Sequence, residues 1–146
     1  MMAQKNTCPI GVFDSGLGGL TVARSIATAL PHESVYYFGD TKRCPYGTRG
    51  ENEVRSFALQ AGRWLSRHDV KIIVIACNTA TAAALRLCQQ TLDVPVIGVI
   101  VPGARAAINS TRTREVGVLA TNLTTRSGAY TRAIQDLDAG VDVYGC

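Results

Sequence analysis

Three polar segments of this sequence each begin where a short apolar run ends, and each carries side chains that could do chemistry. The segments begin at Asp14, Gly39 and Cys77. If the apolar runs are neighbouring parallel strands, their carboxyl ends meet at one edge of a sheet, and open α/β sheets bind ligands beyond that edge. We therefore predict that the three segments form one crevice.

The position of Cys77 in the sequence favours a reactive thiol. The strongest apolar run, residues 72–75, ends just before it, and an alanine-rich helical segment, residues 80–92, follows. Free N–H groups and the positive end of that helix dipole would face the sulfur and stabilise a thiolate. Asn78 and Thr79 would lie in the first turn, where amide, hydroxyl and backbone N–H groups can hold a carboxylate. A buried structural cysteine beside an Asn-Thr cap is the alternative.

The segment that begins at Asp14 is rich in glycine but lacks the spacing of a nucleotide-binding loop. It contains neither Gly-x-Gly-x-x-Gly nor Gly-Lys-Ser/Thr. Its carboxylate would repel a phosphate, whereas it suits an ammonium group or the orientation of a neighbouring acid or base. The alternative is that Asp14 caps a helix and the glycines form a tight turn.

The segment between residues 39 and 50 combines hydrogen-bond donors with a Pro-Tyr-Gly corner at residues 45–47. We interpret it as a substrate-binding loop, with a solvated turn as the alternative. Among the other thiols, Cys8, Cys44 and Cys88 are expected to be passive. The order of the sequence puts no histidine beside Cys77, which argues against a cysteine–histidine hydrolase.

The composition indicates one globular unit with a sizeable core. The 146 residues are 47% hydrophobic and 18% charged, which excludes a disordered polyelectrolyte. The net charge of +4 comes from scattered residues, so no nucleic-acid partner is expected. No run approaches the length of a membrane span, no signal peptide is visible, and the odd number of cysteines suggests neither a disulfide framework nor a zinc site. We expect a soluble protein of the reducing cytoplasm, with no membrane partner.

Apolar runs alternate with segments of helical periodicity along the chain, which predicts an α/β fold with a parallel sheet and right-handed crossovers. Strands are expected at residues 10–13, 35–38, 72–75, 96–101, 116–119 and 141–144. Helices are expected at residues 20–30, 54–68, 80–92 and 130–137, with a further short helix after a break at Pro102 and Gly103. The second set of elements has only about 45 residues, too few for an independent α/β domain, so the sequence looks cut short.

An ordered series of motifs covers nearly the whole chain. The motifs are Ile10-Gly-Val-Phe-Asp-Ser-Gly-Leu-Gly-Gly-Leu-Thr, Tyr37-Phe-Gly-Asp-Thr, Pro45-Tyr-Gly, Ile75-Ala-Cys-Asn-Thr-Ala, Val96-Ile-Gly-Val-Ile, Pro102-Gly-Ala and Ser127-Gly-Ala-Tyr-Thr-Arg-Ala. Together they resemble glutamate racemases, which belong to the aspartate/glutamate racemase family. The wider family shares the Cys-Asn-Thr element, whereas the Asp-Ser-Gly-x-Gly-Gly opening and the Pro-Tyr-Gly corner favour the glutamate member.

The resemblance implies an enzyme that interconverts L- and D-glutamate for bacterial peptidoglycan, with no cofactor and no metal. In such enzymes one cysteine thiolate removes the α-proton and a second cysteine, as thiol, returns a proton to the opposite face. Cys77 matches the first cysteine, and Asp14 matches the acidic residue near the substrate amine. The matching substrate-binding positions are Asp14, Ser15, Pro45, Tyr46, Gly47, Asn78 and Thr79, with Thr121 and Thr124 near a further contact region.

Two features depart from the family pattern. The second half of the family carries a Cys-Thr-His motif with the opposite-face cysteine, and this sequence stops before it. Cys146 stands in a Gly-Cys end and is not matched to that role. Val101 occupies a position where many relatives have glutamate, which bears on a local polar contact and not on the fold.

Family members consist of two similar α/β domains with the site between them. By that pattern, residues 1–101 form most of the first domain and residues 102–146 begin the second. Because the family's last segment returns to complete the first domain, a chain of these residues alone would expose apolar sheet faces and self-associate or be poorly stable. Three functions stay open: a glutamate racemase, a truncated product that binds glutamate or a protein without catalysis, and a racemase of aspartate or another acidic substrate. A homodimer is one alternative for the oligomeric state.

Overall fold

A computed structural model describes residues 7–145, and Cys146 lies outside the described residues. Strands and helices alternate along the chain. Their order is β1 (Ile10–Asp14), α1 (Leu20–Ala29), β2 (Val35–Gly39), a 3₁₀ helix (Tyr46–Thr48), α2 (Glu51–Ser66), β3 (Ile72–Ile75), α3 (Asn78–Thr91), β4 (Val96–Gly98), α4 (Ile100–Ser110), β5 (Glu115–Val118), α5 (Asn122–Arg126), α6 (Ala129–Leu137) and β6 (Asp142–Gly145). The predicted parallel-sheet α/β fold is confirmed.

Four parallel strands form the first sheet, in the order β2-β1-β3-β4. The two central strands, β1 and β3, are the continuous apolar runs, as expected for strands with side chains buried on both faces. On one face, Phe13, Ile73 and Ile75 pack with the buried residues of α2 and α3. These two helices therefore form the main core with the sheet, and β1 and β3 end together at its carboxyl edge.

A second, smaller sheet contains β5 and β6, which are also parallel. The crossover between them runs through α5 and α6. Ala104 of α4, Ile134 of α6 and Val141 form the buried centre of this unit. The division of the chain into two domains stays a prediction.

The structure corrects the sequence prediction around residues 96–103. The strand predicted to reach Val101 ends at Gly98, and Val99 is the N-cap of α4. Pro102 and Gly103, predicted as a break, lie in the first turn and a half of this helix. A proline is tolerated there because the first N–H groups of a helix have no partner within it. The predicted boundary at residues 101 and 102 therefore falls inside α4.

The opposite face of the first sheet is incompletely covered. It is contacted by α1, none of whose residues is buried. A groove of about 580 Å³ runs beside α1, and its apolar lining includes Ile10, Val22, Ile26 and Ile97. Within residues 7–145, no helix combines the length and apolarity needed to cross a lipid bilayer.

We expect the isolated 146-residue chain to self-associate through this groove, because burying apolar surface is favourable. Ile97 is 48% exposed on the edge strand β4, so Ile97→Lys should reduce association. Leu137→Lys is the matched control, since Leu137 is 42% exposed on α6 and does not line the groove. Sedimentation velocity measures the outcome. A chain that stays monomeric at high concentration would contradict the expectation.

Candidate active site

The three chemically interesting segments meet at the carboxyl edge of the first sheet, as their order in the sequence predicts. Backbone hydrogen bonds extend the strand pairing beyond the strand ends. The N–H of Asp40 donates to the carbonyl of Asp14 at 2.9 Å, and the N–H of Ala76 donates to the carbonyl of Phe13 at 2.8 Å. The end of β1 therefore fixes the start of both neighbouring segments.

Cys77 is the N-cap of α3, and its sulfur faces the N-terminus of that helix. The backbone N–H of Ala80 donates to Sγ at 3.4 Å, and the thiol donates to Oγ of Ser15 at 3.3 Å. Only 7% of the residue is exposed. The thiol thus lies between the N-terminus of α3 and a hydroxyl from the β1–α1 loop.

Asp14 is buried and organises the loop that carries Ser15. Its Oδ2 accepts the N–H of Gly16 at 3.0 Å. The interpretation of Asp14 as a helix cap is wrong, because the N-cap of α1 is Gly19 and no side chain caps that helix. A buried carboxylate at this edge has the charge needed to attract a substrate ammonium group.

Tyr37 of β2 also supports the loop that carries Ser15, and it was not predicted as a site residue from the sequence. Its hydroxyl donates to the carbonyl of Gly16 at 2.8 Å. Burial, together with the negative charges of Asp14 and Cys77, raises the pKa of Tyr37 to about 12. The phenol therefore stays protonated near neutral pH and keeps donating to the loop.

The side chain of Tyr46 anchors the Pro-Tyr-Gly corner instead of pointing into solvent. The ring is 1% exposed, lies against Phe13 and Phe57, and its hydroxyl donates to Oδ2 of Asp40 at 2.5 Å. Nε of Arg43 reaches the same carboxylate oxygen at 2.6 Å. Burial and the hydrogen bond to Asp40 raise the pKa of Tyr46. The interpretation of this segment as a solvated turn is therefore wrong for Tyr46, whose side chain is buried.

Removing the Tyr46 hydroxyl should destabilise the protein. In Tyr46→Phe, the buried carboxylate of Asp40 keeps Arg43 but loses one hydrogen bond, and hydrogen bonds to charged groups contribute about 2 kcal/mol. Tyr36→Phe is the control, because Tyr36 is 45% exposed on β2 and should change stability by less than about 0.5 kcal/mol. Urea unfolding of both variants measures the difference. Equal free energies of unfolding would rule out an anchoring role for Tyr46.

The corner also touches the second unit at Thr121. A Cβ built on Gly47 would lie 2.6 Å from Cγ2 of Thr121, so only glycine fits this approach. Oγ1 of Thr121 lies 2.9 Å from Oγ1 of Thr79 and 3.0 Å from Oγ1 of Thr124, whose hydroxyl also reaches Thr79 at 3.4 Å. These three hydroxyl groups, hereafter the threonine cluster, join α3 to the start of α5.

Asn78, which follows Cys77, is exposed, but its side-chain amide accepts a hydrogen bond from a residue of the second unit. The hydroxyl of Tyr130 on α6 donates to Oδ1 of Asn78 at 2.7 Å. Both residues line a cavity of about 360 Å³, together with Thr121 and Thr124. Tyr130 was missed as a site residue because its sequence position marks only the apolar periodicity of a helix.

The sequence-predicted positions are thus brought together in two adjoining groups. Asp14, Ser15 and Cys77 form the first group, and Asn78, Thr79, Thr121, Thr124 and Gly47 form the second. Pro45 is exposed at the corner. No set of three or more His, Cys, Asp or Glu side chains within residues 7–145 could hold a metal ion.

The remaining described thiols differ in their surroundings. Cys88 belongs to α3 and is buried in the core, where burial raises its pKa to about 11, so it stays protonated. Cys44 is exposed, and a Cβ on Gly16 would lie 3.3 Å from its sulfur. Cys8 precedes β1 and is partly buried. Cys77 is the described thiol whose sulfur accepts a hydrogen bond from a helix N-terminus.

The sequence matches known proteins along nearly its whole length. The sequence model of the Asp/Glu/Hydantoin racemase family matches residues 10–146. The chain is 53% identical over 137 residues to a glutamate racemase of Staphylococcus carnosus, covering 94% of this chain and 52% of the relative. A glutamate racemase of Lysinibacillus sphaericus is 53% identical over 135 residues, with coverages of 92% and 51%. The chain spans about half the length of the curated relatives it matches.

Solved structures give the same result. A glutamate racemase isoform from Bacillus anthracis superposes with a TM-score of 0.91 at 48% identity, covering 94% of this chain and 52% of that one. The glutamate racemase from Francisella tularensis, solved in complex with D-glutamate, has a TM-score of 0.87 at 41% identity, with coverages of 95% and 52%. An aspartate racemase homologue from Pyrococcus horikoshii, at 18% identity and a TM-score of 0.67, shares the fold.

Proposed function

The chain belongs to the Asp/Glu/Hydantoin racemase family, and we propose on that basis that it forms the proton-abstracting half of a glutamate racemase. The observation that carries this proposal is the environment of Cys77. Its sulfur lies at the N-terminus of α3, at the carboxyl edge of a parallel sheet and beside Ser15. Glutamate is proposed as the substrate because the relatives described above are glutamate racemases.

In the proposed reaction, the Cys77 thiolate removes the α-proton of glutamate from one face. The helix N-terminus stabilises the negative sulfur, and limited exposure keeps water from competing for the base. Asp14 attracts the substrate ammonium group and holds it protonated, which makes the α-proton easier to remove. Ser15 donates or accepts a hydrogen bond at the sulfur as its charge changes.

The two carboxylates of the substrate would be held by donors from the second group of residues. Asn78, Thr79 and the free N–H groups of the first turn of α3 supply one set of donors. Thr121 and Thr124 supply hydroxyl groups from the second unit. Pro45, Tyr46 and Gly47 form the wall of the site, with Tyr46 acting through its fixed backbone because its side chain is buried.

Inversion needs a proton delivered to the opposite face, so one thiol is insufficient. The proposal assigns Cys77 to one face and the second proton to a group outside residues 7–145, and it needs no cofactor. We also propose that the elements before α4 and those from α4 onward belong to two α/β domains flanking the substrate, which moves the predicted boundary from residues 101 and 102 to the start of α4. By family membership, we assign the reaction to peptidoglycan synthesis in the bacterial cytoplasm, and a homodimer is the oligomer to test.

The decisive test follows the α-proton of L- and D-glutamate separately in deuterated water. Proton NMR measures its loss, and chiral chromatography measures inversion. Exchange with inversion supports the proposal and means that a second base is supplied, for example by another chain. Exchange of one enantiomer without inversion supports Cys77 as a base that serves one face. No exchange from either enantiomer, in a chain shown by circular dichroism to be folded, contradicts it.

Because the chain spans about half the length of its relatives, a binding function without catalysis is the second candidate. It predicts saturable glutamate binding by calorimetry with no exchange in deuterated water. L- and D-aspartate serve as further substrates in the same assay. Faster exchange from aspartate than from glutamate would move the assignment to another acidic amino acid.

A further inference from the structure

We propose that Tyr130 is a positioning residue that orients the amide of Asn78 toward the substrate. The phenol hydroxyl donates to Oδ1 of Asn78 at 2.7 Å, across 52 residues of sequence. Asn78 directly follows Cys77, the thiol that the proposed function uses, at the start of α3. The inference rests on that proposed function for the identity of the substrate, but the orientation of the amide can be measured without it.

The position of Tyr130 is fixed by its own surroundings. It lies near the start of α6, and its ring packs on Gly103 of α4. A Cβ at Gly103 would lie 3.0 Å from the phenol oxygen and 3.3 Å from Cε1. Burial raises the pKa of Tyr130, which keeps the hydroxyl protonated as a donor. Two helices of the second unit therefore hold one hydroxyl against a residue of the first.

The hydrogen bond from Tyr130 determines which end of the Asn78 amide stays available. An asparagine amide has one acceptor oxygen and two N–H donors, and its terminal torsion has a broad, roughly two-fold preference. Oδ1 is bound to Tyr130, and Asn78 lines the neighbouring cavity with Thr121 and Thr124, so Nδ2 is the end of the amide that remains to bind a ligand there. Such donors suit a carboxylate, whereas a rotated amide would present its oxygen and repel it.

The test replaces the hydroxyl and leaves the ring in place. Tyr130→Phe keeps the packing against Gly103, and Tyr144→Phe is the matched control because Tyr144 is 58% exposed on β6. A second variant, Gly103→Ala, keeps the hydroxyl but displaces it, and alanine is favourable in a helix. Two-dimensional ¹H–¹⁵N NMR reports the side-chain amide of Asn78 in the free chain, and calorimetry reports the affinity for D-glutamate.

We expect Tyr130→Phe and Gly103→Ala to shift the Asn78 side-chain amide signals and to weaken D-glutamate binding by roughly tenfold, the usual effect of a lost hydrogen bond to a charged ligand. Tyr144→Phe should change neither. In an Asn78→Ala background, Tyr130→Phe should have no further effect on affinity, because the residue it positions is gone.

Three outcomes would overturn the inference. The first is an Asn78 amide signal that is the same in Tyr130→Phe and Tyr144→Phe. The second is a shifted amide with unchanged affinity for D-glutamate. The third is an equal loss of affinity with and without Asn78, which would indicate a general structural effect. If the unaltered chain binds no glutamate, the proposed function is contradicted, and the amide signals alone decide whether Tyr130 positions Asn78.

Discussion

Replacing Cys77 by serine is expected to lower the rate of α-proton exchange from glutamate by about 10³-fold, the usual contribution of a positioned general base. A serine hydroxyl fits the space of the thiol and can keep the contacts to Ser15 and Ala80. A hydroxyl is intrinsically far less acidic than a thiol, however, so serine cannot supply the anionic base that the proposed reaction needs. The loss should therefore fall on the rate of exchange and leave glutamate binding nearly unchanged.

The measurement is proton NMR in deuterated water, with calorimetric titration of glutamate on the same samples. Cys8→Ser is the control, since Cys8 precedes β1 and has no assigned role in the reaction. It should exchange at the rate of the unaltered chain. If Cys77→Ser exchanged at that rate too, Cys77 would not be the base. If Cys77→Ser lost binding as well as exchange, the residue would be needed for the shape of the site.

Gly19→Ala is expected to reduce both stability and α-proton exchange, because a methyl group there has no room. The added Cβ would lie 2.5 Å from Cβ of Asp14 and 3.0 Å from Cβ of Ala76. Neither atom belongs to the flexible end of a long side chain, so the turn before α1 must move away from β1. Overpacking of this kind lowers the free energy of unfolding by about 1–3 kcal/mol. The movement should also displace the Asp14 carboxylate, which organises the loop that carries Ser15.

Gly18→Ala is a closely matched control for this prediction. A Cβ at Gly18 would come no closer than 4.0 Å, to Oδ2 of Asp14, which is an ordinary contact. Gly19 itself has φ −65° and ψ −10°, a conformation that alanine adopts freely, so only the close approach separates the two variants. Chemical denaturation and the exchange assay should show a large effect for Gly19→Ala and a small one for Gly18→Ala. Similar effects at both positions would mean that Asp14 is not held by this contact.

The central strands and the meeting of Asp14 with Cys77 could be predicted from the sequence, because each depends on a local signal. A continuous apolar run indicates a strand buried on both faces, and parallel strands end at one edge. The error at Pro102 arose because a Pro-Gly pair is compatible with both a break and the start of a helix. The five-residue helix α5 was missed because it is too short to show a periodic pattern.

The contacts between the two units could not be predicted, because they join positions far apart in the chain. Tyr130 and Asn78 are 52 residues apart, and Thr79 and Thr121 are 42 residues apart. No periodicity or spacing links such pairs before the chain is folded. The anchoring of Tyr46 by Asp40 was missed for another reason: a Pro-Tyr-Gly corner indicates a turn but not which way the tyrosine points.

The threonine cluster has a consequence for selectivity. The hydroxyls of Thr79, Thr121 and Thr124 form hydrogen bonds with one another. A ligand group that binds to these hydroxyls must replace the neutral hydrogen bonds between them. An uncharged group forms hydrogen bonds of similar strength and therefore gains little from the replacement. A carboxylate forms charge-assisted bonds that are roughly twice as strong as neutral ones and therefore gains from the exchange. The cluster would thus favour a carboxylate over an uncharged polar group at this position of the proposed site.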